Sequence, residues 1–242
     1  MNTLPSFLSA YGHVIAKREQ EEAGKRKCVP PIVLSRQAGS GGRIIADELA
    51  RKLGFELCDK AILDEIATRS KVPKDFLELL DERPAKVLEL LGAGLLRGVS
   101  ITSEDYDRVL KSTMRAFLEL GSVVIVGRGG AFLARPGKAL RVRVVAPMEV
   151  RIRNFAGYGN ISEEKARIQI EAIEKERRQF LKRVFGQMDG GMECFDIGVN
   201  TQTLSVGDCV ALILEAYERV CGCRPCAKAN PEPAGQNPPQ PE

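Results

Sequence analysis

The sequence predicts an α/β fold, a parallel sheet with helices on both faces, and three observations carry that reading. Short apolar, β-branched runs alternate with stretches of helical periodicity along most of the 242 residues. Two of those runs stop abruptly at glycine clusters, "AGSGG" (38–42) and "GRGG" (127–130). The apolar runs are four to six residues long and read as strands buried on both faces, which is how parallel strands look between helices.

Residues 1–30 turn polar after the first turns, with "EQEEAGKRK" ahead of Pro30 and Pro31, and form an arm outside the core. "PIVLS" (31–35) is the first strand. Beyond its glycine loop, Ile45, Ala46, Leu49, Ala50 and Leu53 recur at helical spacing, and Gly54 is the natural stop. "FELCD" (55–59) is the second strand. From Lys60 to Leu120 the pattern is helical, broken at Pro73, Pro84 and Gly92, Gly94 and Gly98, so a helical insertion separates strands two and three. "SVVIVGRGG" (122–130) is the third strand with its glycine loop, and "ALRVRVVAP" (139–147) is the fourth. A long helix spans about Ser162 to Phe185, "CFDIGVN" (194–200) is the fifth strand, and "LSVGDCVALILEAYERV" is the last helix. The tail 221–242, rich in Pro, Gly and Asn, buries little and reads as disordered.

Composition excludes several functions. A net charge of +4, from 36 basic against 32 acidic residues, is too weak a field to argue for nucleic acid, and 5% aromatic content without tryptophan offers few stacking platforms. No apolar run nears the roughly 18 residues of a membrane span. The N-terminus lacks the basic leading segment of a secretory signal, so a cytoplasmic location and no membrane contact are expected. Seven cysteines form no spaced disulfide framework. Cys221, Cys223 and Cys226 in "CGCRPC", with Cys28, lack paired ligand spacing, so no metal site is expected there. The one histidine, His13, sits in the arm.

The loop at 36–44 holds the chemistry. Gly39, Ser40, Gly41, Gly42, Arg43 and Ile44 lie between a strand and a helix, where loop N–H groups and the helix dipole converge on an anion. Set against GxxxxGK[ST], however, Arg36 stands at the first glycine, Gly42 at the lysine and Arg43 at the hydroxyl. The permanent charges of Arg36 and Arg43 are candidates to take over the electrostatics of that lysine. A dinucleotide loop is the rival reading, with Asp59 at the ribose position, but Ile44 is too bulky for the third glycine and the insertion after strand two breaks the unit.

Several segments together resemble the cytidylate kinase-like family, a branch of the P-loop nucleoside monophosphate kinases. They are "LSRQAGSGGRIIADELARKLG", "LCDK", "VIVGRGG", "APMEVRIRN", "EKERRQF" and the closing "VNT", spread over residues 31–220. The resemblance implies a three-layer P-loop kinase-like fold on a five-stranded parallel sheet. It also implies a helical NMP-binding region within 60–120 and an arginine-rich lid at 151–190. ATP with Mg²⁺ would be the donor and CMP or a related monophosphate the acceptor. On this resemblance Arg43 cradles the donor phosphates, Arg151, Arg153 and Arg177 neutralise the transferring group, and Asp59 and Arg128 hold the acceptor. Cytidylate kinases proper carry "GRD" where this chain has "GRG", so Gly129 replaces an aspartate. A nucleotide-binding regulatory module that has lost transfer is the alternative.

One arginine is singled out by periodicity alone. Ala166, Ile170, Ile173, Arg177, Phe180 and Val184 share a helical stripe, and Arg177 interrupts its apolar character. It must pair with a carboxylate such as Glu174 or reach an anion in the cleft.

Overall fold

The computed structural model describes residues 9, 10, 12, 13, 29–69, 103–186 and 191–222. In chain order the elements are β1 (Ile32–Arg36), α1 (Gly42–Leu53), β2 (Glu56–Cys58), α2 (Lys60–Arg69), α3 (Ser103–Leu120), β3 (Val123–Val126), α4 (Gly130–Leu133), β4 (Leu140–Val145), α5 (Met148–Gly159), α6 (Glu163–Phe185), β5 (Ile197–Asn200) and α7 (Val206–Cys221). The helical insertion read over 60–120 is helix in α2 and α3, and 70–102 lies outside the described residues. Most of the N-terminal arm, and the tail beyond Gly222, also lie outside them.

All five strands are parallel in the order β2-β3-β1-β4-β5. Placing β1 in the middle brings its C-terminal loop between the ends of β3 and β4, the topological switch point where ligands bind in sheets of this kind. Alternation along the strands separates two apolar layers. Ile32 and Leu34 of β1 join Leu140, Val142 and Val144 of β4 against Ile45, Leu49 of α1 and Ile213, Tyr217 of α7. On the opposite face Val123 and Ile125 pack on Ile62, Leu63, Leu110, Met114 and Phe117 of α2 and α3. The fold is therefore three-layered, and every residue of the α1 stripe read from periodicity is buried.

Local signals fix the element ends. Gly54 ends α1 in the left-handed region, φ 64°, with its N–H turned back to the carbonyls of Ala50 and Arg51. Ser162 caps α6 by accepting from the Lys165 N–H, and Ser205 with Asp208 forms a capping box at α7. The fifth strand begins at Ile197, later than its apolar run suggests. Gly191 opens a 3-10 turn, Met192–Cys194, closed by Cys194 N–H donating to the Gly191 carbonyl at 3.0 Å. The four-residue α4, which its glycine-rich sequence hides, follows directly after the "GRG" turn.

Tyr217 ties the last helix to the entry of the first strand. Its ring is fully buried edge-on to Phe55, and its hydroxyl donates to the Pro30 carbonyl at 2.6 Å. Tyr217→Phe strands that buried carbonyl and is expected to cost about 1–3 kcal/mol. The measurement is a urea melt, with a lowered midpoint and an unchanged slope.

Candidate active site

The loop between β1 and α1 is held from three sides. Within the loop, Ser40 is fully buried and its hydroxyl donates to the Gln37 carbonyl at 2.8 Å. From the β4 side, Gln37 donates its N–H to the Val144 carbonyl at 3.1 Å and accepts from the Ala146 N–H at 3.0 Å. From the end of β5, the Thr201 hydroxyl donates to the Ser40 carbonyl at 2.9 Å. The third clamp is α5: Asn154 donates to the Gly39 carbonyl at 3.0 Å, and the Arg151 guanidinium reaches the Ala38 carbonyl at 3.4 Å. With its carbonyls held outward in this way, the loop presents Gly41 and Gly42 at the start of α1, where free N–H groups and the helix dipole attract an anion.

Gly39 shows why glycine is needed. It has φ 78°, and a Cβ there would lie 2.4 Å from the Arg151 carbonyl oxygen.

Four arginines converge on this loop. Arg36 closes β1, Arg43 lies in the first turn of α1, Arg128 in the turn after β3, and Arg177 on α6. Arg177 donates to the Arg36 carbonyl at 3.2 Å. Burial, then the charges of Arg177, Arg43 and Arg128, pushes the Arg36 guanidinium down to about 9, with Asp59 opposing the fall. Burial likewise lowers Arg177, aided by Arg143 and Arg128 and opposed by Glu174. Guanidinium groups depressed by burial first and by like charge second are what an anion-receiving site shows. A cavity of about 90 Å³ opens beside them, lined by Ser35, Arg36, Gly127, Arg143, Arg177 and Phe180 among others.

The other site residues also have protein partners. Arg43 binds Asp59 at 2.5 Å and Asp47 at 3.3 Å, and the other Asp59 oxygen caps α2 at the Ile62 N–H, 3.1 Å away. Arg128 grips Asp64 with both arms of its fork, 2.8 Å from Nε to Oδ1, and stacks over Phe180 at 4.5 Å. Tyr106 donates to the same Asp64 at 2.5 Å. Arg151 is buried, bound to Glu174 at 2.6 Å and within reach of the Ala38 carbonyl. Arg153 is exposed. Ile44 follows Arg43 in α1, half-buried. Of the residues read from sequence, Gly39 to Ile44, Arg43, Asp59, Arg128 and Arg177 thus lie about the ends of β1 and β3, Arg151 contacts the loop at Ala38, and Arg153 is exposed on α5.

Sequence reasoning missed Asp64, Asn154 and the structural part of Thr201. Asn154 had a signal, since it lies three residues after Arg151 and so on the same face of α5. Asp64 had none, because its partners are 42 and 64 positions away. No group of three or more metal-ligating side chains occurs among the described residues, and Cys28, Cys223 and Cys226 lie outside them.

Residues 31–203 match the profile of the cytidylate kinase-like family. The chain belongs to that family. A Pyrobaculum aerophilum protein named cytidylate kinase is 30% identical over 186 residues, covering 76% of this chain and 90% of its own length. One of the same name from Ignicoccus hospitalis is 25% identical, covering 70% and 88% respectively. Among solved structures, an uncharacterized protein from Eubacterium ventriosum shares the fold with a TM-score of 0.59 at 19% identity, over 78% of this chain and 98% of that one.

Within the cytidylate kinase-like family, the "GRG" turn now has a physical reason. Gly129 has φ 73°, and a Cβ on it would fall 2.3 Å from the Phe185 ring. The end of α6 therefore occupies the space an aspartate would use. Gly129→Asp is expected to cost about 1–3 kcal/mol from backbone strain alone, with a further loss from displacing the ring. A thermal melt checks this, and adding Phe185→Ala should recover only the ring's share.

Proposed function

We propose that the protein is a nucleoside monophosphate kinase-like phosphotransferase, carrying the γ-phosphoryl group of ATP to CMP or a related acceptor. The carrying observation is the cluster of Arg36, Arg43, Arg128 and Arg177 around an anion-ready loop, with Arg36 and Arg177 held as cations against burial and mutual repulsion. Family membership and the relatives named cytidylate kinase support the same reading.

In this proposal the donor phosphates lie on the N–H groups of residues 41–44, with the Ser40 N–H turned to the Gln37 carbonyl at 3.2 Å and Arg43 at their edge. Arg177 and Arg36 face the transferring group, and Asp59 and Arg128 lie toward the acceptor. Arg151 serves from behind, fixing the loop through Ala38, while Arg153 reaches the site only if α5 and α6 draw inward over it. Phosphoryl transfer asks the protein mainly for positioning and charge stabilisation, so the lack of a histidine base at this site is no obstacle.

A protein-held Mg²⁺ does not fit these residues. Arg43 takes the hydroxyl position and brings a positive charge, Ser40 is committed to the Gln37 carbonyl, and Asp59 and Asp47 are bound by Arg43. Mg²⁺ therefore enters as part of the substrate, MgATP.

The test is an assay of the purified full chain with ATP, Mg²⁺ and each nucleoside monophosphate in turn. The expected result is ADP and a nucleoside diphosphate in equal amounts with at least one acceptor. Phe185 over Gly129 and Asp64 on Arg128 favour a second reading, a nucleotide-binding module without transfer. That reading gains if ATP binds saturably in calorimetry and no acceptor yields product. Absence of ATP binding removes both.

A further inference from the structure

Two glycines leave space for one arginine. A Cβ built on Gly42 would lie 2.5 Å from the Cβ of Arg36 and 3.0 Å from its Cγ. A Cβ built on Gly127 would lie 2.5 Å from a terminal guanidinium nitrogen of the same Arg36. The Arg36 side chain thus leaves the end of β1, passes beneath the first residue of α1 and reaches the turn after β3. It spans the ground between the phosphate loop and the turn that carries Arg128, and it lines the cavity there.

Standard loops of this type have a glycine where Arg36 stands and a lysine where Gly42 stands. A side chain at 42 and the arginine stem at 36 cannot share the space, so the two departures are sterically one change. We propose that Arg36 and Gly42 are a reciprocal exchange, in which Arg36 delivers from the strand below the phosphate-contacting cation that the loop lysine delivers from the helix start. The inference rests on the nucleotide-binding reading above and assigns its principal cation to a residue outside the usual lysine position.

The surroundings agree with that role. Arg36 is buried and crowded by Arg177, Arg43 and Arg128, with Asp59 opposing them, so its charge is disfavoured. A bound phosphate would reverse that. A guanidinium is always charged and presents a planar fork that matches two phosphate oxygens, unlike the point charge of an ammonium.

Four full-length variants test the exchange by titration calorimetry with MgATP, each first checked for folding by circular dichroism. Arg36→Gln keeps the stem beside Gly42 and removes the charge. It should fold and lose about 10- to 100-fold in ATP affinity, the worth of one charged hydrogen-bonding group. Arg36→Gly should lose at least as much, and Gly42→Lys should lose affinity or fail to fold, because its new side chain meets the Arg36 stem. The double change R36G/G42K, which restores the standard pattern, should recover to within about fivefold of wild type, since it supplies the same phosphate contact from the helix start. Wild-type affinity in Arg36→Gln overturns the proposal. So does a double variant that binds no better than Arg36→Gly, or that fails to fold when Arg36→Gly folds. Failure of the wild type itself to bind ATP removes the nucleotide reading and this inference with it, whereas binding by wild type with an indifferent Arg36→Gln removes the inference alone.

Discussion

Arg151→Ala should lower stability by about 3–5 kcal/mol, the cost of breaking a buried ion pair by deleting one partner. Arg151 is 5% exposed and is bound to Glu174 at 2.6 Å. Removing it leaves that carboxylate without its nearest cation and frees the Ala38 carbonyl, so the loop also loosens. The expected pattern is a lowered denaturation midpoint together with weaker ATP binding. Replacing both partners, Arg151→Met with Glu174→Leu, should return part of the lost stability, because the pair leaves no carboxylate without its partner while Arg177 loses the Glu174 charge that offsets its burial. A stable Arg151→Ala variant that lost only turnover would instead place Arg151 on the transferring phosphate.

Arg177→Met should behave in the opposite way. Its guanidinium is lowered by burial first, then by Arg143 and Arg128, with Glu174 opposing. A cation whose folded pKa lies below its unfolded value binds its proton more tightly in the unfolded chain. Its charge therefore costs stability throughout the range below the folded pKa, which includes neutral pH. Methionine keeps an apolar stem on a stripe that already holds Ile170, Ile173 and Val184. The melting temperature should hold or rise, while the rate of phosphoryl transfer falls about 10²- to 10³-fold, as for removal of one transition-state hydrogen-bond donor. Such a trade of stability against function is expected where a site holds a buried charge among like charges. Steady-state kinetics beside a thermal melt reads both quantities on one preparation, and a variant that melts early with normal turnover would contradict the assignment.

The contrast between these two arginines shows how far the sequence could be read. Arg177 was visible because it breaks a periodic apolar stripe, and a single charge on an otherwise apolar helical face demands an explanation. The α1 face, the Gly54 stop and the Ser162 start were visible for the same reason: their signals are local. Arg151 lies in a motif, "APMEVRIRN", that the family resemblance ties to the cleft, yet its contacts with Glu174 and the Ala38 carbonyl, and the approach of Gly39 to its carbonyl, exist only in the folded chain. The pairing of Arg36 with Gly42 was hidden in the same way. The two residues are six apart across a strand, a turn and a helix start, and neither spacing nor propensity says that one side chain fills the space of the other. Phe185 over Gly129 joins the end of α6 to a turn 56 positions earlier, a contact that no periodicity encodes.

The central claim is that the phosphates of a nucleotide lie at the start of α1, between Arg36, Arg43 and Arg177. A crystal structure of the full chain with ADP tests it most directly. The β-phosphate is expected within hydrogen-bonding distance, about 2.7–3.2 Å, of the N–H groups of residues 41–43 and of the Arg36 guanidinium. ADP bound with its phosphates away from this loop, or a phosphate on the loop that leaves Arg36 untouched, would contradict it.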